Sequence, residues 1–342
     1  MMPSTRQILA TIITLALFLG ACKKDPKITN TEEAMMQIPK GFPSIVFPLG
    51  NEFTKERWEL GKKLFYDKAM SKNYTVSCAS CHQANNAFSD TISFSLGDNN
   101  LVGNSNAPTL TNIAYHPYFT RAGGVPTLEM QILVPIQEHN EFNTNILDLV
   151  ARFKNDIDYN KAANVAYGRD FDSYVIVRAL ANFERSLISG NSSFDQYNYQ
   201  GKKNSLSEQQ INGMNLFYST KTNCSKCHSG FNFTNYSFEN NGLFTNYADS
   251  GRMRLTKLES DRARFKVPTL RNINLTAPYM HDGSIKSLKE VILHYNLGGV
   301  YHKNKSELIK PLNLSEEEMN NLGVFLESLS DESFNNNKIF KQ

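Results

Sequence analysis

Cys78-Ala79-Ser80-Cys81-His82 and Cys224-Ser225-Lys226-Cys227-His228 are two copies of one pentad, Cys-x-x-Cys-His, and the spacing is that of covalent haem attachment. In such a site the two thiols add to the haem vinyl groups, and the adjacent imidazole, carried on the same turn of chain, ligates the iron. Redox or zinc Cys-x-x-Cys turns would need further cysteine ligands or a thioredoxin-like βαβ setting, and neither is present. Two pentads point to two haem c groups. Of the five cysteines in the chain, four thioethers leave only Cys22.

The two halves repeat more than the pentads. Leu64-Phe65-Tyr66 precedes the first and Leu216-Phe217-Tyr218 the second, each ending an amphipathic segment. Downstream, Pro108-Thr109-Leu110-Thr111-Asn112-Ile113 is answered by Pro268-Thr269-Leu270-Arg271-Asn272-Ile273, Pro117-Tyr118 by Pro278-Tyr279, and Leu128 to Leu133 by Leu288 to Leu293. Shared features in one order indicate two copies of one haem-binding fold. Helical spacing of apolar residues marks Leu128 to Gln137, Tyr174 to Leu187, Ser207 to Tyr218, Leu288 to Tyr295 and Ser315 to Leu329. Ser207 and Ser315 stand where helix caps belong. Asn- and Gly-rich stretches at 97–106 and 235–251 read as long loops wrapped around a cofactor. The expected class is therefore mainly α, with two tandem cytochrome c-like domains, each around one covalently bound haem, joined and covered by long loops.

Residues 1–21 read as a secretory signal whose apolar run, Ile8 to Gly20, is too short to span a bilayer. It ends in Leu19-Gly20-Ala21-Cys22, which resembles a bacterial lipobox, so the expectation is acylation of Cys22 and attachment to a membrane, the outer membrane being favoured, through that lipid alone. Residues 22–45 read as an acylated tether, 46–200 as the N-terminal haem domain and 201–342 as the C-terminal one. A formal charge of +3, from 36 basic and 33 acidic residues, gives no global field for nucleic acid or a polyanion.

From about Leu49 onward the chain resembles the bacterial di-haem cytochrome c peroxidases and their MauG-like relatives. The resemblance rests on Ser77 to His82, Asn106 to Leu110 and Lys266 to Ile273. It rests most specifically on Thr276-Ala277-Pro278-Tyr279-Met280-His281-Asp282-Gly283 followed by Leu288-Lys289-Glu290-Val291. It implies a periplasm-facing enzyme with a peroxidatic haem in the N-terminal domain and an electron-transfer haem in the C-terminal domain. Hydrogen peroxide would be reduced to water with electrons from a small donor protein of cytochrome c or cupredoxin type. His82 and His228 would be proximal ligands, and Gln131 and Glu141 would line the distal pocket of the first haem. There Glu141 would move the proton between the peroxide oxygens while Gln131 orients the peroxide. Glu138 is the rival acid. A calcium ion between the domains, held by Asn106, Thr276 and Pro278, and a homodimer are also implied.

Several positions depart from the family pattern. Asp98 stands where the reductively activated peroxidases carry a removable distal histidine, which predicts an open first haem; His116 is a substitute candidate. At the second haem the distal position falls on Tyr295, with Met280 and His294 as rivals. Arg121 occupies the place of a tryptophan between the haems, and Trp58, the one tryptophan of the chain, reads as core packing. Two alternatives to a peroxidase remain open: a MauG-like oxidase acting on a protein substrate, and a di-haem electron carrier without peroxide chemistry.

Overall fold

The structure is a computed structural model that describes residues 35–342. The expected signal, Cys22 and the tether as far as residue 34 lie outside the described residues. The remainder of the expected tether, 35–45, is part of the body: Met35 and Phe42 are both buried. The Phe42 ring packs 4.7 Å from that of Phe231, with the Arg271 guanidinium 4.5 Å from its centroid.

The chain is mainly helical. Its helices are α1 (Lys55–Tyr66), α2 (Cys78–Cys81), α3 (Leu128–Gln137), α4 (Ile146–Phe153), α5 (Ile157–Tyr167), α6 (Ser173–Arg185) and α7 (Ser193–Asn198). They continue with α8 (Glu208–Tyr218), α9 (Cys224–Cys227), α10 (Met253–Thr256), α11 (Leu288–Asn296), α12 (Glu316–Glu327) and α13 (Glu332–Asn335). The one sheet among the described residues pairs β1 (Phe238–Glu239) antiparallel with β2 (Phe265–Lys266). The capping expectations hold in detail. Ser207 forms a reciprocal box with Gln210, Ser287 with Glu290 and Ser315 with Glu318, satisfying backbone N–H groups that a helix start leaves without partners. The short helices α7, α10 and α13 were not anticipated, nor were α4 and α5, although Asn145 and Asp156 cap the latter two with their side chains.

The sequence repeat becomes a repeat of packing. Helix α1 crosses α6, and α8 crosses α12, each crossing being made at a glycine. A Cβ on Gly61 would lie 1.9 Å from the Ala179 carbonyl oxygen, and one on Gly213 would lie 1.8 Å from that of Asn321. Only hydrogen fits between the backbones there. Beyond each crossing, Ser186 Oγ donates to the Phe183 carbonyl and Ser328 Oγ to the Phe325 carbonyl, both at 2.6 Å. Asn112 N then donates to the Leu187 carbonyl at 2.8 Å and Asn272 N to that of Leu329 at 3.1 Å. Position for position, α6 and α12 are therefore the same element.

Each half has its own apolar cluster, and each draws on chain from the other side of residue 200. Trp58, Phe65, Phe88, Leu149 and Phe183 form the first, closed by Phe334 and Phe340 from the C-terminal tail. The second gathers Phe217, Phe233, Ile292 and Phe325 around Phe194, which precedes α8 in sequence. Next to it Asp195 forms a two-armed ion pair with Arg271 at 2.8 and 2.9 Å, both side chains having no solvent exposure. Trp58 is core, as expected, its Nε1 donating to Ser186 Oγ at 2.7 Å. Among the described residues no helix is long and apolar enough to cross a membrane.

Candidate functional site

Helices α2 and α9 carry the pentads, and each ends in its histidine. His82 N donates to the Cys78 carbonyl and His228 N to that of Cys224, both at 2.9 Å, so one helical turn fixes thiol and imidazole on the same side. His82 Nδ1 lies 3.0 Å from the Phe88 carbonyl oxygen and His228 Nδ1 lies 3.1 Å from that of Phe233. The carbonyls of Pro108 and Pro268 weakly favour the protonated rings as well. A carbonyl only accepts, so Nδ1 carries the proton and Nε2 presents its lone pair. Burial lowers both imidazoles below their usual range, His228 to about 4, and so holds them neutral. This is the donor arrangement of a metal-ligating histidine with its tautomer fixed from behind.

The four pentad cysteines form no disulfide. Burial pushes all four thiols up, Cys81 and Cys227 to about 11. A dithiol built for disulfide exchange has the opposite bias, toward thiolate. The residues present therefore fit two covalently attached haem groups.

Helix α3 carries Gln131, whose Oε1 is buried and has no partner among the described residues. Pro135 within α3 supplies no N–H to the Gln131 carbonyl one turn back. Glu141 follows α3 and its carboxyl reaches both Cys78 and Cys81 electrostatically, whereas Glu138 acts on neither. Its side chain keeps solvent access, yet the surrounding protein, with Glu138 adding like charge, pushes it up to about 7. A carboxyl balanced between its two states at neutral pH is suited to take and return a proton.

Asp98 is fully buried and turned away from this pocket. Its carboxylate accepts from Thr75 Oγ1 at 2.6 Å, Asn73 Nδ2 at 2.6 Å and Asn73 N at 3.1 Å. Burial opposes ionisation, but these bonds win and hold the carboxyl below its usual range. His116 faces Lys266 and Tyr236, with Nδ1 3.3 Å from Lys266 Nζ. A buried glutamate that sequence reasoning missed, Glu184 on α6, lies within electrostatic reach of Cys78; burial pushes it to about 8. Its counterpart in the second half is Leu326, and only the superposed crossings reveal the substitution.

On the second site, the three distal candidates converge on Asn241. His294 Nε2 lies 3.1 Å from the Asn241 carbonyl oxygen, and Met280 Sδ accepts from Asn241 Nδ2 at 3.2 Å. The Tyr295 phenol is raised by burial, against which Asn241 acts, and it feels both Cys224 and Cys227. Of the three, Tyr295 is the one whose titration is coupled to both attachment thiols. In the helical register shared by α3 and α11, Tyr295 stands where the first half has Pro135. His281 stacks on Phe265 at 4.2 Å, His302 pairs with Asn240, and His139 lies beside Asn143 at the surface.

The implied calcium site is a different matter. The carbonyls of Thr276 and Pro278 receive no hydrogen bond, but Asn106 does: Arg121 Nη2 donates to its carbonyl at 2.7 Å and to its Oδ1 at 3.3 Å. A calcium ion bound to Oδ1 at about 2.4 Å would lie within roughly 6 Å of that guanidinium, a repulsion of several kcal/mol at the effective dielectric of a protein interior. Lys266 adds a second cation close to Arg121. The side-chain donor of the set does not fit calcium.

A duplicated helical fold with a half-buried, carbonyl-backed Cys-x-x-Cys-His in each half defines a di-haem c-type protein. Comparison with known proteins narrows this. The sequence profile of the family described as di-haem cytochrome c peroxidase matches residues 55–204. The methylamine utilization protein MauG of Methylophilus methylotrophus is 34% identical over 288 residues, covering 84% of this chain and 86% of that protein. The cytochrome c551 peroxidase of Nitrosomonas europaea is 32% identical over 287 residues, covering 82% of each. The crystal structure of a MauG-like protein associated with microbial copper homeostasis superposes with a TM-score of 0.85 at 32% identity, covering 89% of this chain and 98% of that one. The chain belongs to the di-haem cytochrome c peroxidase and MauG family, whose members carry two haem c groups.

Proposed function

We propose that this protein is a di-haem peroxidase that reduces hydrogen peroxide to water at its N-terminal site, drawing electrons one at a time from a small cytochrome or cupredoxin through its C-terminal site. Haem held by Cys78, Cys81 and His82 would supply an iron able to take up peroxide and store oxidising equivalents, and haem held by Cys224, Cys227 and His228 a one-electron relay.

The chain's own groups do the rest. His82, neutral and backed by the Phe88 carbonyl, offers Nε2 on one side. Gln131 offers an unpartnered amide oxygen to orient peroxide. Glu141, as carboxylate, takes the proton from the nearer peroxide oxygen; as carboxylic acid, it returns that proton to the departing oxygen, so that water leaves in place of hydroxide. The observation that carries this reading is Glu141, a carboxyl near pH 7 facing the first attachment site. An electron carrier has no use for such a group.

Tyr295 would be the distal ligand of the second haem, and a phenolate there favours ferric iron and a low potential. That ligand, with Asp98 folded away from the first pocket, also favours a second reading, a MauG-like oxidase that withdraws electrons from a partner protein. Calcium is left out of the reading because Arg121 occupies Asn106. Export, acylation at Cys22, a periplasm-facing position and dimer formation belong to the same proposal.

Stopped-flow mixing with peroxide, in the presence of a reduced small cytochrome or of a candidate protein substrate, separates the readings. Two cytochromes oxidised per peroxide support the peroxidase; covalent change in the protein partner without cytochrome oxidation supports the oxidase. Low-temperature EPR showing two low-spin irons indifferent to peroxide would overturn both.

A further inference from the structure

Arg121 lies in the loop of the first repeat that leads into α3, and the hydrogen bonds of its guanidinium all go to one residue. Nη2 donates to the Asn106 carbonyl at 2.7 Å and to Asn106 Oδ1 at 3.3 Å, and Nε reaches the same carbonyl at 3.2 Å. Asn106 is only 5% exposed, and its N–H donates to the His281 carbonyl at 2.9 Å. The residue that receives the guanidinium is therefore tied to the C-terminal half. Arg121 is tied there too, its carbonyl accepting from Lys266 N at 2.7 Å. Two acidic side chains of the C-terminal half, Asp249 and Asp282, act favourably on the guanidinium. Asp249 comes from the 235–251 loop, and Asp282 from the segment after Pro278 that answers the Arg121 loop in the repeat.

We infer that the Arg121 guanidinium is a cation built into the junction of the two haem-binding halves of this chain, standing in place of a bound calcium ion. A guanidinium carries its charge at all working pH values and presents donors in a planar fork, so it can serve two oxygens of one residue at once. Burial lowers Arg121 only to about 10, which leaves it charged at neutral pH. A covalently attached cation has no dissociation equilibrium, so the junction is insensitive to calcium concentration and to chelators. Asp249 and Asp282 then serve as counter-charges to arginine, not as metal ligands. The inference holds whichever substrate meets the first haem, because it concerns the junction and not the distal pocket.

The test uses the holoprotein with both haems attached. Calcium content after dialysis would be measured, together with the unfolding midpoint and the low-temperature EPR spectrum in EGTA and in excess calcium chloride. The expected result is far less than one calcium per chain, and the same midpoint and spectrum in both media. Arg121→Gln should lower the midpoint and make it rise with added calcium, and Arg121→Lys should stay calcium-independent. One calcium per wild-type chain that survives dialysis, and whose removal alters the spectrum, would overturn the inference. So would an Arg121→Gln protein as stable as wild type and indifferent to calcium. Should that variant fail to accumulate, the wild-type measurements decide. Failure here would leave the peroxide response of the first haem untouched, so the two readings fail separately.

Discussion

The backbone N–H of Asp98 donates to the Glu141 carbonyl at 2.7 Å, so the loop that follows the first pentad holds the backbone of the acid proposed to move the proton. The contact is close on both residues of the loop: a Cβ on Gly97 would lie 2.1 Å from the Asn140 carbonyl oxygen. Asp98 is in turn fixed by Asn73 and Thr75. Replacing it by alanine removes three bonds to a buried carboxylate, each of the order of 1.5–3 kcal/mol. Asp98→Ala should cost a few kcal/mol in denaturant unfolding and slow the peroxide reaction, while pyridine haemochrome analysis still counts two haems. A peroxide rate equal to wild type would remove Asp98 from the positioning of Glu141.

Glu141→Gln keeps the size of the side chain and removes the proton carrier. Peroxide reduction should fall by about 10²–10⁴-fold with both haems retained. Wild-type reactivity should rise as pH passes through about 7, because Glu141 is raised and its carboxylate accumulates only above that value. Between pH 6 and 8 the carboxylate fraction grows roughly tenfold for a single site of this kind. Loss of that rise in Glu141→Gln is the signature; a surviving rise would hand the role to Glu138.

Glu184 makes a prediction about stability. It is 6% exposed, and burial raises it to about 8. A carboxyl whose folded-state pKa is raised stabilises most while the unfolded chain is still protonated, and that contribution is lost as pH climbs to the folded value. The window runs from the ordinary carboxyl range to about pH 8, with a limiting slope of about 1.4 kcal/mol per pH unit. Denaturant unfolding at several pH values should show a shallower decline in Glu184→Gln. Parallel curves for the two proteins would refute the assignment.

The helix crossings give the strongest steric prediction. Gly61→Ala or Gly213→Ala would force a methyl onto a backbone carbonyl that cannot swing aside, with a cost of about 1–3 kcal/mol or more. Each should lower the unfolding midpoint, and the effect should be local: Gly61→Ala perturbs the spectrum of the first haem more than that of the second. Equal stability to wild type would mean that the crossings are looser than these distances allow.

Tyr295→Phe removes the phenol that feels both Cys224 and Cys227. The optical and EPR signature of the second haem should change and its potential rise, with the first haem unaffected. An unchanged spectrum would assign the distal place to Met280 or His294.

By itself the sequence determined which atoms bond covalently and how often the unit recurs. Cys78, Cys81 and His82, with their partners at Cys224, Cys227 and His228, act within a single turn of chain, so spacing alone prescribes the site. The helices with helical apolar spacing were legible for the same local reason, and the hexamers from Pro108 and Pro268 marked the duplication. Tertiary structure decided whatever depends on neighbours distant in sequence. It turned Asp98 toward Asn73, made Glu184 a buried acid where the repeat has Leu326, and closed the first core with Phe334 and Phe340 from the far end of the chain. It also gave Arg121 its partner, Asn106, fifteen residues earlier in the chain. Covalent chemistry follows from spacing along the chain, but desolvation and charge pairing follow from which groups packing brings together, and no local pattern encodes that.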